Sequence, residues 1–216
     1  VILSGFNNTG IKEIVFPMNV TEIGASAFYN CDSLRSVTIP EGIVSIGNSA
    51  FGSCDSLKTV ILPTSLKEIG EYAFTEAGIK EITIPEGITT LQTGTFSDCD
   101  SLETVKLPES ITKIENNSNQ YGGVFKSCSQ LKSINLPTDL TELGAYTFSG
   151  CEKLSDITLP TGLTKINKNT FYYCRKLTKI DIPANITTIE EYAFAESGLK
   201  DIDIPATVTT VGYRAF

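Results

Sequence analysis

The side chains that could do chemistry in this chain are six cysteines and a set of charged residues. Histidine is absent, which removes the commonest general base and the commonest transition-metal ligand together. No G-x-S-x-G, P-loop or G-x-G-x-x-G pattern occurs, so neither an activated serine nor a phosphate cradle is expected. Cys31, Cys54, Cys99, Cys128, Cys151 and Cys174 each follow a phenylalanine by three residues. An even count would suit disulfides in a secreted protein. Their regular spacing instead aims all six the same way from stacked units, as a ladder rather than as facing pairs. Ala77, Ser197 and Thr9 fill the same slot elsewhere, so a small side chain satisfies it. A zinc site would need C-x-x-C spacing, and none exists. Buried, reduced thiols are expected, with no metal and no cofactor.

The charges sum to −8, from 17 basic and 25 acidic residues. That balance argues against nucleic acid and anionic membrane as partners. No stretch approaches the roughly 18 apolar residues of a membrane span. Hydrophobic residues make up 41% and charged residues 19%, the composition of a folded domain.

What positions these side chains is a repeat. The nine prolines fall at 17, 40, 63, 85, 108, 137, 160, 183 and 205, spaced 23, 23, 22, 23, 29, 23, 23 and 22 residues apart. Each closes the same apolar ladder, as in Leu34-x-x-Val37-x-Ile39 before Pro40. Alternation sends Val37 and Ile39 inward and Ser36 and Thr38 outward. Proline ends the strand because it cannot donate a ladder hydrogen bond. Pro40-Glu41-Gly42 then suits a turn, with glycine accepting a left-handed backbone. Ile43 and Ile46 lead to Ala50-Phe51 on the far side, a stretch too short for a stable helix. The recurring Phe28, Phe51, Phe74, Phe96, Phe125, Phe148, Phe171 and Phe194 should stack as a core spine. The spacing predicts nine parallel strands near 12–16, 35–39, 58–62, 80–84, 103–107, 132–136, 155–159, 178–182 and 200–204, in one curved sheet. Residues 1–216 read as one solenoid domain of about nine units.

The pattern C-x-x-L-x-x-V-x-I-P followed by I-x-x-I-G-x-x-A-F resembles the BspA-type leucine-rich repeats. Residues 28–51, 51–74 and 148–171 match it closely, and the likeness extends over the whole chain. It implies a leucine-rich-repeat solenoid with a curved parallel sheet on its concave face. Short strands or 3₁₀ turns would lie on the convex side, with little α-helix. It also implies an extracellular or cell-surface protein of a bacterium or protist that binds host proteins or other cells.

A solenoid displays its outward strand residues in columns, and these are the candidate ligand contacts. Lys12, Arg35, Lys58 and Lys80 form a basic stripe on the first four coils, with Lys106 further along. Asp156, Lys179, Asp181, Asp201 and Asp203 form an acidic cluster on the last three, where Lys179 should offset the repulsion between aspartates. A six-residue insertion within 115–123 breaks the repeat and carries Tyr121, a candidate anchor on a surface loop. The chain starts and stops inside a unit. It therefore reads as part of a longer protein, with exposed end coils that favour end-to-end association. The reading is a non-catalytic module whose concave face contacts a protein or glycan of a host or neighbouring cell. A stalk that presents another domain is the alternative. A cytosolic regulatory scaffold is a third, since it would tolerate free thiols better.

Overall fold

Every coil uses the same four pieces, and local chemistry explains each. The computed structural model describes residues 1–115 and 122–216. On the front, Ser36–Thr38, Thr59–Ile61, Glu81–Thr83, Thr104–Lys106, Ser133–Ile134 and Asp156–Ile157 form one parallel six-stranded sheet, with neighbours in chain order. Their register keeps equivalent residues side by side, as in Ser36–Thr59, Thr59–Glu81 and Glu81–Thr104.

The expectation of nine front strands needs correction. Segments 12–16, 178–182 and 200–204 follow the repeat but form no strand. The first belongs to an end coil. The other two begin where Asp156 gives way to Lys179, Asp181, Asp201 and Asp203. Asp181 and Asp203 share one column, and like charges facing each other there disfavour pairing of the last two segments; at the boundary itself Asp156 faces Lys179.

The turn after each proline is uniform. The N–H three residues on donates to the proline carbonyl in all nine coils, as in Val20 to Pro17 at 3.1 Å and Ile186 to Pro183 at 3.0 Å. Proline thus opens the turn. Gly42 and Gly87 take its third position at φ +97° and +99°, as a type II turn demands. Ser65 and Ser110 occupy that position in the next coils, where their hydroxyls accept the N–H groups of Gly42 and Gly87. The chain then crosses the back in two-residue parallel strands, such as Glu22–Ile23, Ser45–Ile46 and Glu68–Ile69. Among the described residues the back strands form three runs, of which the last pairs Lys165–Ile166 with Thr188–Ile189 and Thr188–Ile189 with Thr210–Val211, where the front ladder is lost. No helix occurs among the described residues.

The fourth piece is a tight turn around each phenylalanine. Two residues before it the backbone is left-handed, at Ser26, Ser49, Tyr72, Gly94, Tyr146, Asn169, Tyr192 and Arg214. Two residues after it the same holds at Asn8, Asn30, Ser53, Glu76, Asp98, Ser127, Gly150, Tyr173 and Glu196. Each non-glycine there costs about 1–2 kcal/mol. The turn offsets this with a third inter-coil ladder. Ser26, Phe28 and Asn30 donate their N–H groups to the carbonyls of Asn48, Ala50 and Gly52 in the next coil. The carbonyls thus capped would otherwise be buried and unpaired.

The phenylalanines form one continuous column. Adjacent rings lie 5.1–5.7 Å apart and within 14° of parallel. Phe6 and Phe216 extend it beyond the eight rings read from the sequence. Phe6 precedes Thr9 by the same three residues that separate Phe28 from Cys31, a signal present in the sequence. Phe125 stacks between Phe96 and Phe148, so core register resumes after the insertion. Tyr121 and most of that insertion lie outside the described residues.

Candidate binding face

The cysteines are core. All six are free and buried. Each thiol donates to the carbonyl of the phenylalanine in the preceding coil, as Cys54 Sγ to Phe28 at 3.1 Å and Cys99 Sγ to Phe74 at 3.0 Å. The hydroxyl of Thr9 makes the corresponding bond within its own coil, to the Phe6 carbonyl at 2.5 Å. Burial pushes the Cys54 thiol up to about 12 and drives Cys99, Cys128, Cys151 and Cys174 higher than an ordinary thiol. A protonated, buried thiol is neither nucleophile nor metal ligand.

The front sheet carries the exposed charges. Lys12, Arg35, Lys58, Lys80 and Lys106 are all exposed. Backbone pairing fixes the column of the first four, because Lys58 N–H donates to the Arg35 carbonyl and Glu103 N–H to that of Lys80, while Lys106 stands in the column of Ile61 and Thr83. Lys58 turns its ammonium onto the Asp55 carbonyl at 2.9 Å. The stripe ends at Glu103, which takes Lys132 Nζ at 2.6 Å. That contact, with Lys80 and Lys153 behind it, holds the Glu103 carboxyl below the usual range. Two front residues that the sequence reading passed over are apolar and open to solvent: Val15 at 91% exposure and Ile61 at 54%. They occupy the outward column three residues beyond the stripe, on the far side of Glu13, Ser36, Thr59 and Glu81, so the first coils carry cations and exposed apolar side chains on one face. Their signal was legible as valine and isoleucine at positions where other coils carry threonine, asparagine or charge.

At the other end the aspartates are brought together. Asp156, Lys179, Asp181, Asp201 and Asp203 are all exposed. Lys179 pairs with Asp181 on its own segment at 3.7 Å, not with the aspartates on either side in its column. A groove of about 460 Å³ opens between residues 178–182 and 201–205. Among the described residues no group of three or more carboxylate or thiol side chains is placed to hold a metal ion.

A family model for the BspA type leucine-rich repeat region matches residues 3–123 and 121–216. Among solved structures, the chain is similar to a leucine-rich cell surface protein from Faecalibacterium prausnitzii A2-165. The two share 30% identity at a TM-score of 0.59, over 91% of this chain and 68% of that one. It is also similar to the pneumococcal vaccine antigen PcpA, with 26% identity, a TM-score of 0.68, and 98% and 55% of the two chains covered. A leucine-rich repeat protein from Bacteroides ovatus shares 25% identity at a TM-score of 0.51, over 97% and 78%. No curated protein sequence matches the chain.

Proposed function

Because the chain belongs to the family of BspA-type leucine-rich repeat proteins, we propose that it is a non-catalytic recognition module of a cell surface. Its partner is a protein or glycan that meets the front sheet of the first four coils. One observation carries this reading: Lys12, Arg35, Lys58 and Lys80 line up on the same exposed face as the apolar Val15 and Ile61. Apolar contact supplies affinity and the cation row supplies steering and register toward an acidic partner. The surface setting rests on the similarity to a bacterial cell surface protein.

The reading is tested by binding the purified chain to immobilised extracellular-matrix proteins and mucins at low and high salt. Saturable binding that weakens as salt rises supports it. Absence of binding to any surface favours the spacer reading, to which the unbroken ring column from Phe6 to Phe216 is suited.

A further inference from the structure

A second feature lies on a different edge of the solenoid, where the phenylalanine turns of the later coils face solvent. Here the left-handed position two residues before each phenylalanine carries Tyr146, Asn169, Tyr192 and Arg214 in succession. In the first four coils the same position holds Ser26, Ser49, Tyr72 and Gly94. A groove of about 680 Å³ runs along this edge, and Lys126, Ser149, Lys168 and Tyr172 complete its wall.

Three properties of the groove point to one ligand chemistry. First, Asn169 is 7% exposed and its side-chain oxygen Oδ1 has no hydrogen-bond partner. A buried acceptor left unpaired is costly, which favours a donor supplied from outside the chain. Second, the aromatic rings stand edge to face, Tyr172 to Tyr192 at 6.3 Å and Tyr192 to Tyr213 at 5.7 Å. Rings so arranged leave flat apolar faces beside phenolic hydroxyls, which suits a ligand that is apolar on one face and polar at its rim. Third, every charged residue lining the groove is a cation. Lys168 is engaged by Glu191 and Lys126 by Asp98 at 3.7 Å. Arg214 makes no ion pair among the described residues and lies over the Tyr213 ring at 5.2 Å.

We propose that this turn-edge groove binds a carboxylate-bearing sugar, such as the hexuronate unit of an acidic polysaccharide. A ring hydroxyl donates to Asn169 Oδ1, the pyranose face lies on a tyrosine ring, and the carboxylate meets Arg214, whose fork suits it. A peptide carboxylate would satisfy the arginine but would bring neither the hydroxyl donor nor the flat apolar face. Backbone bonds preorganise the site: Tyr146, Asn169 and Tyr192 donate their N–H groups to the carbonyls of Lys168, Glu191 and Tyr213. Little order remains to be imposed on binding.

The left-handed backbone supplies a clean test, because glycine removes these side chains without strain. Titration of the chain with a hyaluronan tetrasaccharide, its carboxyl-reduced counterpart and oligoglutamate would be followed by calorimetry. The expected result is saturable binding of the tetrasaccharide alone. Asn169→Gly and Arg214→Gly should each weaken it about tenfold, the loss of one hydrogen-bonded contact. Charge reversal of Arg35 and Lys58 on the front sheet should leave it unchanged, which keeps this site separate from the recognition face. Equal binding of the carboxyl-reduced sugar or of oligoglutamate would overturn the proposal. So would indifference to both glycine variants, or no binding by a chain whose circular dichroism is native.

Discussion

From Ser36 to Lys106 the front strands pair in register beneath a row of cations. From Thr178 to Pro205 the cation column holds Thr178 and Lys200 while the neighbouring outward columns carry Asp181, Asp201 and Asp203, the strands no longer pair, and a groove separates the segments. Yet inward residues stay in the core where pairing is first lost: Val37 is 3% exposed and Ile180 5%, beyond which the last coil opens, with Ile204 at 44%. The ring column continues beneath both, and back strands pair in each region. Two of the three inter-coil ladders therefore suffice to hold a coil, and the front one can be given up. That freedom is what lets outward columns change charge along the solenoid without loss of the fold.

If the shared core is the scaffold, the largest effect should come from disturbing what both regions have in common. Five buried thiols have pKa values raised above the unfolded value of about 8.5. Above that pH the unfolded chain loses protons that the folded chain keeps. Stability is then fully present below about pH 8.5 and falls as pH rises toward the folded values, by about 1.4 kcal/mol per pH unit for each thiol. Urea midpoints measured from neutral to alkaline pH should decline steeply. Cys54→Ala should flatten the slope by one thiol's share up to about 12, where Cys54 itself ionises. A profile flat to pH 11 would show that the thiols are accessible to water.

Truncating the ring column should rank next, and unevenly. Phe96→Ala should cost about 3–5 kcal/mol, since its fully buried ring leaves a cavity between two neighbours. Phe216→Ala should cost much less, because that ring is 47% exposed and stacks on one neighbour. Equal losses in thermal denaturation would mean that the coils do not share one cooperative stack.

Smaller effects sharpen the picture of the turns. Ser49→Gly should stabilise by about 1 kcal/mol, because the residue sits at φ +52°. Ser49→Val should destabilise by at least as much, and chemical denaturation of the pair reads both signs. Smallest of all, Asp203→Asn should stabilise by a few tenths of a kcal/mol by relieving repulsion across the last coils. A loss on that substitution would mean that the aspartate makes a contact worth more than the repulsion it causes.

How far the sequence discloses this molecule follows from what each residue depends on. Inward side chains obey a local rule: Leu34, Val37 and Ile39 alternate and must pack, so coil, register and buried cysteines were all legible. The extent of the front ladder was not, because the apolar pattern at 178–182 matches that of the paired coils and carries no sign of the loss. Nor was the left-handed backbone at Tyr146 and Tyr192, since nothing in tyrosine favours it. The hydrogen bonds that permit it belong to the stack, not to the local sequence. The turn-edge groove stayed hidden for the same reason, although Tyr146, Asn169, Tyr192 and Arg214 recur at repeat spacing. For the front face the columns were legible. Lys179 pairing along its own segment with Asp181 was not, because register alone does not say where a long side chain turns.

The most direct test of the account compares charge reversal in the two regions on one scaffold. One variant carries Lys12, Arg35, Lys58 and Lys80 changed to glutamate; the other carries Asp181, Asp201 and Asp203 changed to lysine. Both would be checked by circular dichroism and then measured by surface plasmon resonance against a matrix protein or mucin that the wild type binds. The account predicts that the first variant keeps its fold and loses association rate and salt dependence, while the second binds at least as fast as wild type. Unchanged binding by the first variant, or loss of binding confined to the second, would contradict it.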